Sequence, residues 1–212
     1  AAPTSAATAP TTFFNCRASA LYASVLGNDR VEPIVANGNP NTGNGRSPDF
    51  ALCADADVGV GSGLTQLGIG PDILSARTAY AATSVDPENA FPRNQKIGAG
   101  ASVEDAALPL GTGTAVLGVG AANSVATAAC VNGQPDLQGS SRLVDVTLAG
   151  TPIALDELLA ALSEALAPLG PIVEIVPNEQ IRDGNSLTVR ALHVKVLRDA
   201  GSAPLVDLVL AE

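Results

Sequence analysis

Turn residues punctuate this chain every 10–20 positions, and most runs between them alternate apolar with polar side chains. That rhythm constrains the fold more than any other feature. Alternation with period two makes half-buried strands, and closely spaced turns join them into a sandwich or barrel. No heptads and no solenoid-length repeat compete with it.

The strand-like runs are "CRASALYASVL" (16–26), "FALCADADVGVG" (50–61), "ILSARTAYAATSV" (73–85) and "IGAGASVEDAALPL" (97–110). "GTAVLGVGAANSVATAACV" (113–131) is long enough for one bent strand or two. "SRLVDVTLAGTPI" (141–153) has a clean period of two, with Leu143, Asp145, Thr147 and Ala149 on one face. The stretch 31–48 reads as a long Asn/Gly/Pro loop. The last run, "PLVDLVLAE", is apolar on both faces except at Asp207, which predicts a central or covered strand.

One helix interrupts, over about 154–167. Leu155, Leu158, Leu159, Leu162 and Leu166 form its stripe, Asp156 and Glu157 suit its first turn, and Pro168 and Gly170 stop it. It reads as a plug for an open end of the sandwich, or as a lid. The expected fold is therefore all-β: an antiparallel β-sandwich, Ig-like or jelly-roll-like, with one short amphipathic helix. A single domain spans 13–212, preceded by a Pro/Thr/Ala-rich extension at 1–12.

Composition narrows the setting. The 212 residues are 46% hydrophobic but only 3% aromatic and 15% charged, so Ala, Ser, Thr, Asn and Gly must cover much of the surface. With a net charge of −10 and no basic cluster, nucleic acid is excluded as a partner. No apolar run is long enough to span a bilayer as a helix. The opening "AAPTSAATAP" resembles a mature N-terminus after signal-peptide removal, which implies secretion. Cys16, Cys53 and Cys130 are too widely spaced for a zinc or redox motif. In an oxidising compartment they imply one disulfide and one spare thiol, with the pair undetermined; the alternative is three reduced thiols.

Motifs for chemistry are sparse. There is no GxSxG, and the only histidine, His193, lies seven residues from Ser186 on the same strand-like run, which argues against a triad. Glu174 and Glu179 lack the aromatic platform expected beside a glycosidase pair. The glycine-rich stretches match no phosphate loop. Asp55, Asp57 and Asp183, with Asp49, Asn185 and Ser186 nearby, are calcium candidates without a calcium motif. Hence no catalytic residue and no cofactor is expected, with Ca²⁺ the one alternative.

Residues 173–196, "VEIVPNEQIRDGNSLTVRALHVKV", read as two strands around a turn at Asn178-Glu179-Gln180. Leu187 and Val189 share one face, and Leu192, Val194 and Val196 the other. A bulge near Arg190–Ala191 would bring all five inward. Glu179 is then a candidate partner for Arg190 or His193. With the closing "PLVDLVLAE", this region resembles the C-terminal half of actinobacterial choice-of-anchor P secreted surface proteins. The resemblance rests on Asn178, Glu179, Gln180, Leu187, Thr188, Val189, Ala191, Leu192, His193 and Val194, with Arg190 where Asn is usual. It extends loosely over 16–212. It implies secretion, a cell-surface location, a β-rich domain and no catalysis; Asn178, Glu179, Gln180, Ala191, Leu192 and His193 become structural signature residues.

The function expected is a non-enzymatic, secreted cell-surface subunit that self-assembles into a filament or layer. Its N-terminal segment would pair with an edge strand of a neighbouring copy. The alternative is a monomeric adhesin or ligand-binding module, calcium-dependent or not.

Overall fold

The computed structural model describes residues 14–25, 31–38, 52–60, 74–86, 95–109, 116–158, 160, 172–197 and 204–212. Eleven strands cover most of them: β1 (Ala18–Val25), β2 (Val31–Ala36), β3 (Ala56–Val60), β4 (Thr78–Asp86), β5 (Lys96–Pro109), β6 (Val116–Val131), β7 (Gln134–Leu148), β8 (Thr151–Pro152), β9 (Ile172–Asp183), β10 (Ser186–Leu197) and β11 (Pro204–Leu210). They form two antiparallel sheets, ordered β2-β1-β11-β10-β9 and β3-β4-β5-β6-β7-β8. The sheets pack face to face over one core that includes Leu21, Ile34, Val103, Leu117, Val119, Leu192 and Leu210. The all-β sandwich is thus the architecture.

β11 lies between β1 and β10, the central place its two apolar faces required. Two readings change. The segment taken as loop from residue 31 begins with β2, because Ile34 and Ala36 join the core and pair with β1. The strand at 141–153 stops at Leu148, turns at Ala149–Gly150 and returns as the two-residue β8. β6 is one bent strand; it continues through an Asn132–Gly133 turn into β7, both turn residues having the positive φ that a two-residue hairpin needs.

The bend explains why alternation fails in the longest strands. In β5, Ala101 and Val103 are buried, and so are Ala106 and Leu108; in β7, Leu143 and Val146 are. Each strand changes phase once. Yet pairing keeps its offset, from Glu104–Ala121 to Ala106–Val119 and from Ala121–Val144 to Val119–Val146. Asp105 and Asp145, at φ 49° and 54°, mark the line with Gly120 between them. A crease therefore crosses β5, β6 and β7 together, and the period-two reading of 141–148 breaks at Asp145.

The five-stranded sheet has a matching crease. Ala20, Ala211 and Ala191 lie side by side, all fully buried, joined by Ala211 N–H to Ala20 O at 2.8 Å and Ala191 N–H to Ala211 O at 2.9 Å. It reaches β9 at Asn178, whose φ is 53°. Small side chains let the kinked backbones approach.

Of the expected helix, residues 155–158 and 160 are helical; 161–167 lie outside the described residues. Leu158 is buried in the core, with Asp156 and Glu157 exposed, consistent with an amphipathic first turn. The extension at 1–12 also lies outside the described residues. Among those described, no helix is long and apolar enough to cross a membrane.

Candidate functional site

Around His193 the crease assembles a polar network. Leu192 and Val194 enter the inter-sheet core, so His193 points to the opposite face of β10. That face is not solvent: His193 is 3% exposed and Tyr22 on β1 is 5% exposed. The His193 Nδ1 lies 2.8 Å from Glu179 Oε2, and Nε2 lies 2.8 Å from Asp207 Oδ1. Tyr22 O–H also donates to Asp207, at 3.2 Å. Arg190 donates to the same Glu179 oxygen at 2.9 Å and to Glu212 Oε2 at 2.6 Å, and its guanidinium lies 6.0 Å from the Tyr22 ring centre. Arg17 bonds Glu212 at 3.4 Å and also Glu32. The chain of contacts runs Asp207–His193–Glu179–Arg190–Glu212–Arg17–Glu32, and with Tyr22 on Asp207 the network touches all five strands of the sheet.

Burial raises the Glu179 carboxyl, but hydrogen bonds from Arg190 and His193 and their positive charge outweigh it and hold the group below the usual range. Asp207 behaves alike: burial opposes, and the His193 bond and charge, then Tyr22 and Lys195, lower it. Burial would lower Arg190, yet the charge of Glu212 and the bonds to Glu212 and Glu179 raise it above its ordinary value.

Both histidine nitrogens are already bonded to carboxylates, which leaves neither free to take a substrate proton. Ser186 begins β10 at the hairpin tip, seven residues before His193. The pairing of Glu179 with both Arg190 and His193 is as the sequence suggested. The turn is not: Asn178, Glu179 and Gln180 lie inside β9, and the chain reverses at Gly184–Asn185 between paired Asp183 and Ser186. Gly184, at φ 55°, supplies the positive φ that this two-residue reversal needs.

The bulge also takes another form. Arg190 opposes Glu179 and Leu192 opposes Pro177 with no change of offset, so both strands kink together. Val189, Leu192 and Val194 are buried as expected; Leu187 and Val196 are half-buried. Ala191 and Leu192, the remaining signature residues, sit buried on the crease.

The other side of β9 stitches the sheets. Ser141 O–H donates to Asn178 Oδ1 at 3.2 Å, Gln180 Nε2 donates to Gly139 O at 3.1 Å, and Arg182 donates to Leu137 O at 3.1 Å. Gly139 permits the approach, because a Cβ there would run into Val189 and Leu187.

Below the crease the five-stranded sheet is open. β11 separates β1 from β10, and its pairing continues to Ala211 and Glu212, where Ser19 and Glu212 exchange two 2.8 Å bonds. Past that point, Phe14–Arg17 on one side and Ser186–Arg190 on the other bound a cavity of about 760 Å³, floored by Ile97, Ala99, Ala126, Ala128 and Leu137. Among the described residues no strand runs between these two edges. The far edge is fixed by the Cys16–Cys53 disulfide and by a Cys53 N–H bond to Phe14 O at 3.0 Å. Cys130 is the spare thiol.

The calcium candidates are not gathered. Asp55, which takes the Val85 N–H at 2.6 Å, just precedes β3 and Asp57 lies in it, in the six-stranded sheet, while Asp183 ends β9 in the other. Asp49 lies outside the described residues. Among those described, no three groups of metal-ligating type come together.

Sequence reasoning missed Arg17, Glu32, Tyr22 and Glu212 as members of the network. A signal existed: Arg17 and Glu32 are lone charges beside apolar strand segments, and such charges are buried only when paired. Comparison of the chain with family models, with curated proteins and with solved structures gives no match in any of the three.

Proposed function

We propose that this chain is a non-catalytic structural subunit that works outside the cell and is held in place by copies of itself. The observation that carries the reading is the opening in the five-stranded sheet. It is bounded by two strand edges of one sheet and floored by apolar side chains, so it is shaped for an added strand. The Cys16–Cys53 disulfide supports an oxidising compartment. The likeness to choice-of-anchor P surface proteins agrees with that location. The saturated His193 network supports a structural role over an enzymatic one.

β11 offers no free edge for assembly, since β1 and β10 pair with it on both sides. Light scattering coupled to size exclusion, run over a hundredfold range of concentration, tests the reading. Species at multiples of the 21.1 kDa chain mass are expected. A monomer at every concentration would sink it. Any catalytic turnover lost in a folded His193→Ala variant would sink the non-catalytic part.

A further inference from the structure

We propose that the opening between Phe14–Arg17 and Ser186–Arg190 receives residues 1–12 of a second copy of this chain as its missing strand. The inference rests on the self-assembly reading above and names the site and the segment that assembly uses.

Width selects the occupant. Above the crease, β11 alone fills the space between β1 and β10. Strands two places apart in a sheet stand about 10 Å from each other, which admits one strand and no more. Both edges continue past Glu212, so an inserted strand running in the β11 direction is antiparallel to both neighbours. Its backbone would bond to two edges at once, and alternate side chains would meet the floor.

The floor selects the side chains. Ile97 and Ala128, buried beside Cys16, lie with Ala99, Ala126 and Leu137 in a shallow, mostly apolar floor, joined by Ser124 and Thr127, that suits short residues. Every residue of "AAPTSAATAPTT" is Ala, Pro, Thr or Ser. Proline cannot give an N–H to a ladder, and residues 4–9 are free of it. That run of six matches the five-residue edge Ser186–Arg190. The segment also carries no charged side chain, which matters because each copy has a net charge of −10 and like charges would oppose any other close contact.

The connection selects a neighbour over the same chain. To fill its own opening, the segment would have to reverse just before Phe14, within Pro10-Thr11-Thr12-Phe13. None of the Gly, Asn or Asp that tight hairpins use is present there. A neighbour's segment needs no reversal. Each copy would then give one strand and take one, a head-to-tail contact that does not close on itself.

Cysteine trapping tests this on the full chain with Cys130→Ser. One preparation carries Ala6→Cys and the other Thr188→Cys; they are mixed in a redox buffer, with Thr4→Cys and Thr8→Cys run in parallel to cover other registers. Held partners meet at millimolar effective concentration, so the disulfide-linked heterodimer should exceed by at least about tenfold that formed with a Gln138→Cys control on the exposed face of β7. Peptide mapping would confirm that Cys16–Cys53 stays intact. A yield equal to the control in all registers overturns the proposal. So does a double variant, Ala6→Cys with Thr188→Cys, that closes only within single chains. Oligomers in preparations where no register cross-links above the control would overturn the site while leaving self-assembly standing; monomers at every concentration would overturn self-assembly itself.

Discussion

Replacing Arg190 with Met puts the network's structural role at stake. The side chain keeps most of its length and loses its charge. Two ion pairs disappear, at 2.6 Å to Glu212 and 2.9 Å to Glu179. A charge-assisted hydrogen bond contributes about 1.5–3 kcal/mol, and removing one partner of a fully buried pair costs about 3–5 kcal/mol. The side chains of Arg190, Glu179 and Glu212 are 16%, 18% and 11% exposed, so water can partly replace the lost partner. The expected loss is therefore near the lower end, about 3 kcal/mol at pH 7. Urea unfolding followed by far-ultraviolet circular dichroism measures it. Arg190→Lys keeps a charge but not the fork that reaches both carboxylates, and should recover only part of the loss.

The pH dependence has a definite sign. Glu179 is held below its ordinary value of 4.5 in the folded protein, in part by Arg190. Its contribution is present above that value and fades as pH falls through the lowered folded value. The variant never has the Arg190 share, so the gap between variant and parent should narrow on acidification. A loss below about 1 kcal/mol, or a gap that widens as pH falls, would refute the reasoning.

Three further outcomes follow from the same geometry. Replacing Cys16 and Cys53 together by Ser should lower stability by about 4 kcal/mol in the chain-entropy model for a loop of 37 residues, read from urea midpoints with and without reductant. The parent should lose stability as pH falls below about 4.5, because Glu179 and Asp207 both titrate below their ordinary values when folded; a midpoint that stays flat from pH 6 to 3 would contradict this. Gly139→Val should cost about 1–3 kcal/mol by overpacking against Val189 and Leu187, and a thermal melt unchanged from the parent would show that β7 and β10 are not as close as described.

The sandwich was legible because alternation and turn residues act locally. Asp207 as the lone polar interruption in an apolar strand placed β11 centrally, and Glu179 could be paired with Arg190 and His193 from a single phase change. The creases were less legible. A phase change in one strand reads as a bulge; only the neighbours show that Asp105, Gly120 and Asp145 kink together and keep the pairing offset. Asn178-Glu179-Gln180 misled for a related reason. Asn tolerates positive φ in turns and in kinked strands alike, and the sequence does not separate the two. The opening below Glu212 was not readable at all, because it depends on which strands flank β11, and strand order is a long-range property.

Assembly by strand exchange is tested most directly by negative-stain microscopy of the protein beside a variant lacking residues 1–12. Thin unbranched filaments from the full chain, and single particles from the variant with the same circular dichroism spectrum, are the predicted result. Single particles from the full chain, or filaments of equal length from both, would contradict it.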